Sequence, residues 1–101
     1  MVGSYKFEPE AEEDLNEAFD YYERMEPGVG LGDRLIKNVI DKIENVAANP
    51  KKYSEDNLGV RKAKVSVFPF YIFYIIKGAS ISIIAVWHNS RNPEGWKKRI
   101  S

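Results

Sequence analysis

The hydrophobic pattern of this chain changes period once, and that single change constrains the fold more than any other feature. Up to Ala47 the apolar residues recur every three or four positions, and from Val60 onward they alternate or run together. The first pattern belongs to amphipathic helices and the second to strands. Helices followed by strands, rather than alternating with them, predict an α+β fold in which a helical layer covers one face of a small, mostly antiparallel sheet.

Tyr5–Glu8 reads as a short first strand. Pro9 suits the first helical turn, where a missing N–H costs nothing, and Glu10, Glu12, Glu13 and Asp14 favour the positive end of a helix dipole. Ala11, Leu15, Ala18, Phe19 and Tyr22 share one face, and the helix ends near Met25 because Pro27 and Gly28 break it. Gly28–Gly32 is a flexible link, and Asp33 is the expected cap of a second helix with Leu35, Val39, Ile43 and Val46 as its apolar stripe. That helix stops before Pro50, so the pair forms a helical hairpin. Lys51–Gly59 is a loop. Val60–Val67 is a half-buried strand, Phe68-Pro69-Phe70 bends the chain, Tyr71–Ile76 is the next strand, and Lys77–Ser80 is a hairpin turn. Ile81–His88 is largely apolar on both faces until His88 and is expected at the centre of the sheet, and a short basic tail anchored by Trp96 follows.

At 101 residues the chain is a single domain, 1–101, with one core. It lacks cysteine, which excludes disulfides, thiolate metal sites and thiol nucleophiles. The opening residues carry no signal-like apolar run, and Phe68–Ile76 is too short to span a bilayer, so a soluble cytoplasmic protein with no membrane role is expected. The formal charge of zero is divided unevenly. Residues 1–57 carry seven Lys/Arg against fourteen Asp/Glu, and residues 58–101 carry eight against one. Such a dipolar chain concentrates an anionic partner on its basic half.

The chemistry-bearing residues lie in that half: Arg61, Lys62 and Lys64 on the first strand of the run, His88 at the end of the last, Arg91 three residues on, and Lys97, Lys98 and Arg99 in the tail. A histidine moves protons near neutrality, and guanidinium forks hold phosphates or stabilise developing charge. Each also has a plainer reading. Arg61 and Arg91 fit ion pairs with helix acids, and Lys97, Lys98 and Arg99 fit a solvated tail. Tyr71 and Tyr74 pack a sheet. Gly28, Gly30 and Gly32 follow a helix rather than a strand, so they form no phosphate loop, and the Glu10–Asp14 run is a helix start rather than a metal site. No metal or cofactor is expected.

The order and spacing of these residues resemble the RelE/ParE superfamily of bacterial type II toxins, which includes plasmid stabilisation proteins. The resemblance runs over nearly the whole chain. It starts with Phe7-x-x-x-Ala11, Asp14-Leu15, Tyr21-Tyr22, Gly30-Leu31-Gly32, Asn49-Pro50 and Tyr53. Its strongest part is Val60-Arg61, Phe68-Pro69-Phe70-x-Ile72-x-Tyr74 and Ile83-x-Ala85-Val86-x-His88-x-x-Arg91-x-Pro93-x-x-Trp96-x-x-Arg99. It implies the same small α+β fold, a hetero-oligomeric complex with a cognate antitoxin, and one of two targets.

Ribosome-dependent members of the superfamily cut mRNA with basic residues and a Tyr or His near the C-terminus. By position Arg61, Lys64, His88 and Arg91 would be the catalytic set of such a nuclease. Gyrase-directed members act by binding, without catalysis. Here position 96 is Trp, no catalytic C-terminal Tyr is evident, and the chain is neutral overall, which favours binding to a target such as DNA gyrase. A ribosome-dependent mRNA endonuclease and an inactive antitoxin-binding homologue are the alternatives. Arg61, Lys62, Lys64, Arg91, Trp96, Lys97, Lys98 and Arg99 are the expected partner-binding residues.

Overall fold

The computed structural model describes residues 3–100. Strand β1 (Ser4–Phe7) leads into helix α1 (Pro9–Met25) and helix α2 (Leu31–Ala48), followed by a 3-10 turn at Pro50–Lys52. The strands β2 (Arg61–Lys64), β3 (Phe70–Lys77) and β4 (Ser80–His88) come next, then a single helical turn α3 (Glu94–Lys97) and a 3-10 turn at Lys98–Ile100. The sheet order is β1-β4-β3-β2. The last three strands form an antiparallel meander, and β1 returns parallel to β4. The expected α+β architecture and the central position of the last strand are both observed.

Both helices lie on one face of the sheet. Leu35, Val39, Ile43 and Val46 of α2 are fully buried, each contributing about 1.5–3 kcal/mol of transfer free energy. They pack with Ala11, Leu15, Ala18 and Tyr22 of α1 and with the helix-facing side chains Ile72, Tyr74, Ile81, Ile83 and Val86. A second, smaller cluster forms on the opposite face, where Val60, Ala85 and Trp87 lie beneath Trp96 of α3.

Helix α2 begins two residues before the expected cap. Asp33 lies inside its first turn, and the N-cap is Gly30 in the left-handed region at φ 78°. No side chain of α2 caps its own N-terminus; instead Glu23 of α1 accepts the Gly32 N–H at 2.9 Å. A Cβ on Gly32 would lie 2.7 Å from the Phe19 ring, so the hairpin can close only around glycine there. The second strand is also shorter than its alternation predicts, ending at Lys64. The chain turns through Val67, whose φ is +74°.

A β-bulge in β4 decides which side chains reach which face. Phe73 pairs with Ala85 and Tyr74 with Ile83, leaving Ile84 as the additional residue. Ile81 and Ile83 therefore face the helices, and beyond the bulge Val86 does so while Ala85 and Trp87 face the other way. His88, paired with Phe70, is carried by the same shift to the helix side of the sheet's end.

Candidate functional site

His88 closes β4 at the end of the sheet where α1 finishes. Its ring meets Phe70 edge-on at 5.2 Å, and Phe70 and Phe68 in turn contact Tyr22 of α1 at 6.3 and 5.2 Å. Tyr22, Phe70 and His88 floor a cleft of about 470 Å³, rimmed by the exposed side chains of Tyr21 and Met25 on one side and Arg91 on the other. That volume falls within the roughly 300–1,000 Å³ of small-ligand pockets.

The polar chemistry of the cleft is set by hydrogen bonding around His88. The Ser90 backbone N–H donates to His88 Nδ1 at 3.1 Å, and the Ser90 hydroxyl lies 2.8 Å from the same nitrogen. A ring nitrogen that accepts an N–H carries no proton, so the neutral imidazole bears its proton on Nε2 and presents a donor there. Arg91 stacks its guanidinium 3.8 Å from the Trp87 ring centre and has no carboxylate partner among the described residues.

The other basic residues named from sequence are placed elsewhere. Arg61 stands opposite Tyr74, which lies four positions along β3 from Phe70, the partner of His88. At about 3.3 Å per residue this is roughly 13 Å along the strands, with two strand spacings added across the sheet. The Arg61 guanidinium turns inward, donating to the Tyr53 carbonyl and lying 3.9 Å from Glu55. It secures the loop that precedes β2, where Glu55 and Arg61 also form a backbone bridge. Lys64 lies on the opposite face and donates to the Val65 and Phe68 carbonyls at 2.9 and 2.7 Å, holding the β2–β3 turn. Lys62 stands over the Tyr71 ring at 4.9 Å. Trp96 is buried and stacked on Phe73 at 4.2 Å, and Lys97 lies 3.7 Å from Glu94. The structure thus brings His88 and Arg91 together and leaves Arg61 and Lys64 in separate roles.

Arg99 is not in a solvated tail. It donates through two nitrogens to the Asp14 carboxylate, at 2.7 and 2.9 Å, and to the Ile84 carbonyl at 3.0 Å, with Glu10 3.5 Å from Nε. Asp14 also accepts the Val86 N–H at 3.1 Å. β1 ends opposite Ile83, so the edge of β4 beyond it has no strand partner; Asp14 and Arg99 satisfy that edge instead. The hydrogen bond to Asp14 raises the Arg99 pKa above its ordinary value, outweighing the opposite effect of burial. In sequence Asp14 reads as one acid of a helix start, and the signal against that is its place within the buried stripe Ala11–Leu15–Ala18. Its partner carries no such signal, being 85 residues away. The Arg99 guanidinium lies 5.0 Å from the Trp87 ring centre, and the Trp87 and Trp96 indole N–H groups are buried without a protein acceptor among the described residues.

No group of three or more His, Cys, Asp or Glu side chains among the described residues is arranged to hold a metal ion. No helix among them is long and apolar enough to cross a membrane.

A parallel return strand joins an antiparallel meander, with a helical hairpin on one face, and a family pattern in the sequence runs through these elements. Residues 5–93 match the family described as ParE toxin of type II toxin-antitoxin system, parDE. The chain belongs to this family and is the toxin component of such a system. Its fold is similar to that of a chain from the chromosomal ParDE toxin-antitoxin system of P. aeruginosa, with a TM-score of 0.73 at 19% identity, covering 86% of this chain and 96% of that one. It is also similar to a chain of the heterotetrameric YoeB-YefM toxin-antitoxin complex of Staphylococcus aureus, with a TM-score of 0.57 at 14% identity, covering 87% and 98%. A second YoeB-YefM complex from Staphylococcus aureus gives a TM-score of 0.56 at 14% identity, again covering 87% and 98%. Among curated protein sequences, none matches the chain significantly.

Proposed function

We propose that this toxin acts by binding and inhibiting a cellular target such as DNA gyrase, without chemistry of its own, and that a cognate antitoxin neutralises it in a hetero-oligomeric complex in the cytoplasm. One observation carries the reading: His88 and Arg61 are separated by about 13 Å along the sheet, and the open nitrogen of the histidine is a donor. Cleavage of RNA by its own 2′-hydroxyl needs a base, an acid and a cationic clamp around one phosphate. Here the Arg61 fork is bonded within the protein, the Lys64 ammonium is bonded to turn carbonyls, and no carboxylate lines the His88 cleft. What remains suits recognition: Arg91, Lys62 and Lys97 at the surface, with Trp96 and Arg99 supporting them from beneath.

The antitoxin partner is supported by the family and by the complexes in which similar chains occur. The basic half of the chain complements an acidic or amphipathic antitoxin segment. The test is a pair of assays on purified protein: supercoiling by DNA gyrase, and primer extension on mRNA in programmed ribosomes. Inhibited supercoiling with uncut mRNA is expected. Discrete mRNA cuts, lost in His88→Ala, would establish the endonuclease instead.

A further inference from the structure

The cleft between the end of α1 and the end of β4 differs from the rest of the basic surface because it joins an apolar floor to a cationic rim without a carboxylate. Phe70 and Tyr22 line it, Tyr21 and Met25 remain about half exposed at its mouth, and the His88 Nε2–H, Arg91 and Ser90 are among its polar groups. Arg61 is paired with Glu55, and Arg99 with Asp14 and Glu10. Arg91 has no such carboxylate among the described residues, and it is oriented by stacking on Trp87 and by the turn in which its N–H donates to the His88 carbonyl at 3.1 Å.

From this we infer that the cleft receives one apolar side chain of the antitoxin, together with a carboxylate next to it in sequence that is held by Arg91 and the His88 Nε2–H. The inference rests on the antitoxin reading above and assigns its anchor point. An exposed tyrosine and methionine at the mouth of an apolar cleft gain by being covered, and methionine adapts to the shape of what covers it. A guanidinium with no carboxylate partner favours an anion, and the fork of Arg91 suits a carboxylate, with the His88 Nε2–H as a second donor. The apolar floor favours an amphipathic acidic segment, whose apolar side chain fills it next to the carboxylate; a nucleotide base stacked on the same aromatics is the competing occupant.

The minimal probe is N-acetylphenylalanine, which joins an apolar ring to an adjacent carboxylate, with N-acetylphenylalaninamide as its uncharged counterpart. Titration followed by NMR reads the Met25 methyl and His88 ring signals. The acid should shift both saturably and bind about tenfold more tightly than the amide, the scale of one charge-assisted hydrogen bond. Arg91→Gln should reduce the acid to the level of the amide. Equal binding of acid and amide, or shifts confined to Lys62 and Lys97, would overturn the inference, as would a tetranucleotide RNA that saturates the same signals more tightly. A second arm uses the product of the reading frame adjacent to the gene. Its complex with the toxin should be weakened at least tenfold by Met25→Glu and by Arg91→Gln. Unchanged affinity in both variants would sink the anchor while leaving the antitoxin reading intact. No complex with the wild-type chain would sink both.

Discussion

Replacing Asp14 with alanine tests how the C-terminal segment is tied to the fold. The substitution removes the bidentate partner of Arg99, whose side chain is 13% exposed, and deprives the Val86 N–H of its acceptor on the unpaired edge of β4. Removing one partner of a buried pair costs about 3–5 kcal/mol. Glu10 remains 3.5 Å from Arg99 Nε and offsets part of that, which places the expected cost near the lower end, about 3 kcal/mol. In a domain of this size each kcal/mol moves the melting temperature by about 4–8 °C, so Asp14→Ala should melt about 12–24 °C below wild type. The assay is urea unfolding followed by circular dichroism and by tryptophan fluorescence, with hydrogen exchange at the Val86 amide. The pair Asp14→Leu with Arg99→Met separates charge from edge satisfaction. It removes the stranded guanidinium but leaves the Val86 N–H and the Ile84 carbonyl unpaired, so it should recover only part of the loss. A loss under about 0.5 kcal/mol in Asp14→Ala, with unchanged protection of the Val86 amide, would refute the reasoning.

Three further outcomes follow from local geometry. Tyr74 is fully buried and donates to the Pro50 carbonyl at 2.7 Å, and burial pushes its pKa up to about 12, so the stability linked to it is present below the usual tyrosine range near 10 and is lost as pH rises towards 12; Tyr74→Phe should cost about 1 kcal/mol in urea titrations at pH 7 and weaken the alkaline loss. Val67 holds φ +74° while 77% exposed, so Val67→Gly should relieve about 1 kcal/mol of net strain and raise the melting temperature, and an unchanged or lower value would argue against strain at this turn. Glu8 accepts from the Ser82 hydroxyl at 2.5 Å, and that bond, with smaller help from Lys6 and Lys77, holds its pKa below the ordinary 4.5; its contribution is present above that value and lost as pH falls through the lowered one, so Ser82→Ala should flatten the acid limb of the stability profile.

Much of the fold was legible because it is written locally. The stripe of α2, the Pro9 and Pro27 boundaries and the alternation from Val60 each report on their own segment, and the toxin pattern runs through all of them. What escaped depends on distant contacts. The start of α2 is set by Glu23 of the preceding helix, which replaces the expected cap at Asp33. The facing of His88 is set by the bulge at Ile84, which no period-two reading of a largely apolar strand reveals. Of the candidate site, the pairing of His88 with Arg91 follows from their spacing in one turn. The inward commitment of Arg61 and Arg99 does not, since a sequence displays their charge and not the carbonyl or carboxylate that receives it.

Growth inhibition by His88→Ala, expressed without any antitoxin at a level matched to wild type, tests the central claim that this toxin binds rather than cuts. The account predicts that wild type arrests growth and that the variant arrests it equally. A folded His88→Ala protein that no longer inhibits growth, or a wild-type chain that never does, would contradict it.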